Sequence, residues 1–144
     1  MYSDSLFTPR RAQSCSAAAY RSTAVEIQVA GADAHRLVTL LFEGFENSMA
    51  EAHGALLSGD TERKCVSLTR AIRIVDDGLR ARLNLVEGGN LARDLDELYA
   101  YVVNRLLLAN ARNEPDLLKE CMRLIKPLHE AWVSIGETTL RTSK

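Results

Sequence analysis

The chain has 144 residues, 47% hydrophobic and 26% charged, and 18 Lys and Arg against 19 Asp and Glu leave a formal net charge of −1. That length supports one domain with its own core, without metal or disulfide staples. The charge balance excludes a global drive toward nucleic acid or an anionic membrane surface.

Residues 1–32 are rich in Ser, Ala and Thr, hold Pro9 and Gly31, and show no sustained apolar stripe. They read as a flexible N-terminal segment. The pair Arg10-Arg11 is followed by polar residues and by Arg21 and Glu26, so it heads no signal-peptide apolar core. No apolar run is long enough to span a bilayer, and membrane insertion is not expected. A cytosolic location is expected.

Asp33 is a good N-cap for a first helix over 34–58, with Val38, Leu41, Phe42, Phe45, Met49, Ala52 and Leu56 at core spacing. Gly44, Ser48 and Ala52 form a ridge of small residues on it, suited to close helix packing. Gly59-Asp60 ends that helix and caps a second over 61–84, whose seam is Cys65, Leu68, Ile72, Val75 and Leu79. Ile74 falls off that seam, on a side expected to be more exposed. Gly88-Gly89 breaks the chain again and Asn90 is placed to cap a third helix over 91–112.

Helix three carries more apolar surface than one core face needs. Leu91, Leu95, Leu98, Val102, Leu106 and Ala109 share a stripe, with Tyr101 and Leu108 on one flank and Val103 and Leu107 on the other. Such a helix is either central in a bundle or offers a surface to another chain. Asn113, Glu114 and Pro115 then open a fourth helix over 115–137, with Leu117, Cys121, Ile125, Leu128, Trp132 and Ile135 at core spacing. Pro127 removes one hydrogen bond from its middle and is expected to kink or loosen it. Residues 139–144 read as a short tail. The fold class is all-α: four helices with short connections form an antiparallel up-down-up-down bundle over 33–138.

Neither a catalytic site nor a metal site is indicated. The three cysteines, Cys15, Cys65 and Cys121, are odd in number and form no CxxC pair. The histidines, His35, His53 and His129, lack the Glu-x-x-His spacing of di-iron bundles, and no GxSxG elbow or P-loop occurs. The cations of helix two are scattered and mixed with acids, a solvated face rather than a nucleic-acid stripe. No enzyme activity and no cofactor are expected.

The order of landmarks resembles a known family. They are Ala19-Tyr20, then Leu37-Val38-x-Leu40-Leu41-Phe42-Glu43-Gly44, then Gly59-Asp60 and Ile72-x-x-Val75-Asp76-x-Gly78-Leu79. Glu87-Gly88-Gly89, Leu98-Tyr99-x-Tyr101-Val102-x-x-Arg105-Leu106-x-x-Ala109-Asn110 and Ala131-Trp132 follow. Collinear from about Tyr20 to Gly136, they are similar to the FliS family of flagellin-specific export chaperones. The resemblance implies a cytosolic bundle that binds the disordered C-terminal segment of flagellin, blocks premature polymerisation and delivers it to a flagellar export gate component. It also implies that the N-terminal segment covers the client surface as a lid, with Tyr20 contributing.

Tyr101, Leu108, Leu107 and Ile74, off the core seams, are the client-binding candidates, and Arg105 joins them. The alternative is a non-catalytic adaptor or structural subunit that self-associates through the same apolar faces.

Overall fold

Turn chemistry at three points divides the described residues into four helices. The computed structural model describes residues 34–142, with side chains as far as Glu137. α1 (Ala34–Ser58) ends at Gly59, whose φ of 77° side chains rarely adopt. Asp60 opens α2 (Thr61–Arg73) by accepting the Arg63 N–H at 3.1 Å. α3 (Gly89–Arg112) ends on Asn113 in the left-handed conformation, its N–H donating to the Ala109 carbonyl at 2.8 Å. Pro115 starts α4 (Pro115–Thr142), where its missing N–H has no partner to lose.

The cap of α3 differs from expectation. Gly88 takes the cap position, and Asn90 lies inside the first turn with its side chain on Arg93. Asn84 organises the connection instead, its side-chain oxygen accepting the N–H groups of Val86 and Glu87 at 3.2 and 2.9 Å.

α2 does not stay α-helical. A π turn, Ile74–Leu79, follows it, the Arg80 N–H reaching back five residues to the Val75 carbonyl, and a 3-10 turn, Arg80–Arg82, ends the segment. The expected seam is buried at Leu68, Val75 and Leu79 and half-buried at Cys65 and Ile72. A second row is buried beside it: Lys64, Ser67, Ala71, Ile74 and Gly78. Ile74 is therefore a correction: it is 1% exposed and belongs to the core. Most of its row is small or polar, so hydrophobic periodicity registered Ile74 alone. Small size is what the row supplies, because a Cβ on Gly78 would stand only 3.0 Å from the Leu41 side chain of α1.

Each helix packs on two others, α1 on α2 and α4, and α3 on α2 and α4. Short connections make neighbours antiparallel, which closes the four-helix bundle that the sequence implies. Its centre is Phe45, Met49, Leu68, Ile74, Val102, Leu106, Leu118 and Ile125. Burying each such side chain contributes about 1.5–3 kcal/mol. Cys121 lies here too, its thiol donating to the Val102 carbonyl at 3.8 Å and pushed by burial up to about 12, which leaves it protonated and inert.

Two clasps join the helices polar group to polar group. Lys64, 5% exposed, donates to the Asn110 carbonyl at 3.0 Å and to the Asn113 side chain, so a cation sits at the C-terminus of α3. Between α1 and α4, Trp132 Nε1–H donates to the His35 carbonyl at 3.0 Å while His35 Nε2 meets the Trp132 carbonyl at 2.8 Å. A carbonyl only accepts, so His35 carries its proton on Nε2. The two rings stack 4.6 Å apart. His129 repeats the arrangement one turn or so earlier, stacked on Phe42 and bonded to Glu46 at 2.8 Å. α4 continues as helix through Pro127, which lies on an exposed face, so the carbonyl that loses its helical partner is open to solvent.

Gly136 is buried against the first clasp, and a Cβ there would fall on the His35 ring. Gly136→Ala should lower stability by about 1–3 kcal/mol, since overpacking outweighs the ~1 kcal/mol that Ala gains over Gly in a helix. The urea midpoint reads the effect, and an unchanged or raised midpoint contradicts the clasp.

Candidate docking groove

α3 has more apolar surface than the bundle takes up, and its rotation decides which part is left over. The buried residues are Ala92, Tyr99, Val102, Leu106 and Ala109, so the core face is turned toward Tyr99 relative to the expected stripe. Burial pushes the Tyr99 phenol up to about 12 and keeps it neutral. Leu91, expected in the core, is 69% exposed at the start of the helix, and Leu98 is half-buried outside the core cluster.

That rotation moves one flank of α3 against α4. Tyr101, 42% exposed, donates its hydroxyl to Glu120 Oε2 at 2.6 Å, and Arg105 Nε donates to Glu120 Oε1 at 2.8 Å. The Arg105 guanidinium lies 5.6 Å from the centre of the Tyr101 ring. Glu120 therefore has both oxygens occupied, and its carboxyl is held below the usual range by the Tyr101 bond first and the Arg105 bond second. The Tyr101 phenol is raised chiefly by the same bond, because ionising it would set two anions together. Together the bonds pin an amphipathic ring at the surface, between the two helices.

Two contacts fix how α3 and α4 run past each other: Tyr101 to Glu120, and Val102 to Cys121. In antiparallel register, moving back along α3 from Tyr101 to Leu98 and Leu91 corresponds to moving forward along α4 from Glu120 to Leu124 and Ala131. Leu124 is half-buried, Ala131 exposed, and Ile135 exposed one turn further on. A shallow apolar groove results, with Tyr101 as its anchored end. The connection before α3 adds exposed Leu85 and Val86 near the other end.

The expected site residues divide accordingly. Tyr101 and Arg105 come together on this flank, and Leu108 shares it, half-buried and packed on the core. Leu107, 52% exposed, sits on the opposite flank, toward α2, the side on which Asp96 pairs with Arg80 at 2.7 Å. Ile74 is in the interior, and Tyr20 lies outside the described residues. Glu120 escaped the sequence reading, since nothing local pairs residue 120 with 101 and 105. Among the described residues no three His, Cys, Asp or Glu side chains gather as a metal site, and no helix is long and apolar enough to cross a membrane.

The polar anchor has a defined pH window. Depression of the Glu120 carboxyl means its contribution is complete above the usual carboxylate range and fades as pH falls through its folded value. The raised Tyr101 phenol gives a contribution complete below 10.0 and lost as pH rises through its folded value. Glu120→Ala should therefore bring the Tyr101 titration down toward its ordinary value, read by NMR of ring-labelled tyrosine. A Tyr101 titration that does not move rules out the bond.

A model of the family described as "Flagellar protein FliS" matches residues 16–139. The flagellar secretion chaperone FliS of Salmonella typhimurium is 39% identical over 118 residues, covering 82% of this chain and 87% of that protein. The flagellar secretion chaperone FliSB of Pseudomonas aeruginosa is 37% identical over 117 residues, 81% of this chain and 92% of its own. FliS of Escherichia coli is 36% identical over 114 residues, 79% and 84% of the two chains.

Proposed function

This chain belongs to the FliS family of flagellar proteins, and from that premise we propose that it is a cytosolic secretion chaperone for flagellin. Its client is the disordered C-terminal segment of flagellin, which lays an apolar helical face into the α3–α4 groove. A segment held there is unavailable for filament assembly, so the complex stays soluble until delivery to the export gate. The observation that carries this reading is the anchored Tyr101 beside Leu98 and Leu91: apolar area presented on a rigid bundle. Helix-in-groove recognition needs that combination.

Client engagement extends past the groove as the segment wraps α3. Leu108 backs Tyr101 on the groove flank, and Leu107 is where a wrapping segment crosses to the side facing α2. Arg105 contributes mainly by holding Glu120 and the Tyr101 ring in place.

Titration calorimetry with a flagellin C-terminal segment tests the proposal. The expected result is a stoichiometric complex with a negative heat-capacity change, the mark of buried apolar surface. Tyr101→Ala should weaken it about tenfold, some 1.4 kcal/mol, and leave the urea midpoint almost unmoved because Tyr101 lies outside the core. Leu107→Ala should cost less, about two- to threefold. No heat and no heat-capacity change at any temperature would sink the proposal, and self-association in sedimentation without peptide binding would favour the adaptor reading.

Residues 1–32, with Tyr20, are proposed as a lid that competes for the groove; they lie outside the described residues. Deleting residues 1–30 should then leave client affinity unchanged or raised. A marked loss on deletion contradicts a lid.

A further inference from the structure

Charge along the groove is unevenly satisfied. Most cations of the described residues bond to something: Arg70 to Glu51, Arg80 to Asp76 and Asp96, Arg105 to Glu120, Lys64 to Asn110. Lys119, Arg123 and Lys126 make neither an ion pair nor a hydrogen bond, and among the described cations only Arg63 is like them. They recur at i, i+4 and i+7 on the outer face of α4, all exposed. Arg123 is the nearest to the groove, its charge helping to depress Glu120.

The opposite edge carries the opposite sign. Glu97 and Asp94, exposed and also without partners, lie one and two turns back from Tyr101 on α3. The register set by Tyr101 and Glu120 puts them level with Leu124 and Pro127, each one residue on from Arg123 and Lys126 along α4. Acid and base thus stand at one level across the groove, yet no ion pair joins them. Asp116 and Glu130 bound the basic stretch, while Arg93 beside the acidic one is already bonded to Asn90. An open, apolar-floored gap between unlike rims is a template for a helix that supplies both missing partners.

We propose that the α3–α4 groove selects an amphipathic client helix whose apolar face is flanked by acidic side chains along the α4 edge and basic side chains along the α3 edge, and that these rims fix the direction in which the helix lies. Reversing a helix in the groove exchanges its flanks, so the wrong direction sets like charges against each rim. The floor supplies affinity and the rims supply direction. This inference rests on the reading that the groove holds a flagellin helix, and it adds the chemistry and orientation of that helix.

The probe is the flagellin C-terminal segment, titrated into the full chain at about 50 mM and about 500 mM salt, conditions that bracket strong and weak screening. Reversing either rim, by Arg123→Glu with Lys126→Glu or by Asp94→Lys with Glu97→Lys, should weaken binding about fivefold at the lower salt and far less at the higher. Reversing both rims together should recover most of the affinity with the segment turned end for end. A spin label on the segment's N-terminus would then broaden the NMR signals of Ile135 where it had broadened those of Tyr101, or the converse. A change below twofold for both single-rim variants at low salt, or a label that stays put in the exchanged protein, overturns the rim inference while leaving the groove reading intact. Absence of binding to the wild-type chain overturns the groove reading and this one with it.

Discussion

The burial of Tyr99 sets the rotation of α3, and the surface of the protein depends on that rotation. α3 is apolar most of the way round, so several faces compete for the core. Packing Tyr99 with Ala92, Val102, Leu106 and Ala109 inward satisfies α2 and α4 at once and leaves Leu91, Leu98 and Tyr101 stranded outside. A large aromatic ring buried to 4% exposure is a firm choice among those faces. The groove is thus a by-product of how the core is filled, maintained by the stability of the whole domain.

What keeps the groove from collapsing is the rest of the bundle. The small-residue row of α2 lets α1 approach closely, with Leu41 against Gly78, and the π turn keeps Ile74, Val75, Gly78 and Leu79 all buried. Reciprocal hydrogen bonds between His35 and Trp132 then tie α1 to α4, while Lys64 ties α2 to the end of α3. α3 and α4 are therefore each held from behind. Their exposed seam is bridged chiefly through Glu120, which fixes Tyr101 without covering it. For a flagellar secretion chaperone that holds its client in a groove, this is the requirement: apolar area kept presentable on a rigid frame.

Much of the architecture was legible from the chain alone, because caps and breakers act locally. Gly59-Asp60 and Pro115 mark helix ends through backbone geometry that needs no tertiary partner. Rotations were less legible. On α3 the apolar residues encircle the helix, so a period of 3.6 fits more than one face and favoured Leu91 and Leu98 over Tyr99. On α2 the second buried row consists of Lys64, Ser67, Ala71 and Gly78 around Ile74, and hydrophobic patterning registers only the Ile. Closeness of packing, not apolarity, recruits those positions. Glu120 was invisible for a different reason, since its role exists only once α3 and α4 are antiparallel in one register. Tyr101 and Arg105 could be singled out beforehand; the carboxylate that unites them could not.

The central claim is that the surplus face of α3, opened toward α4, is where the client sits. Mapping amide and methyl shifts on titration with a flagellin C-terminal segment tests it most directly, because it asks where rather than whether. Perturbations concentrated at Leu91, Leu98, Tyr101, Leu124 and Ile135, with the α1–α2 face quiet, are the predicted result. Saturable binding whose shifts fall on α1 and α2 and spare Tyr101 and Leu98 would contradict it.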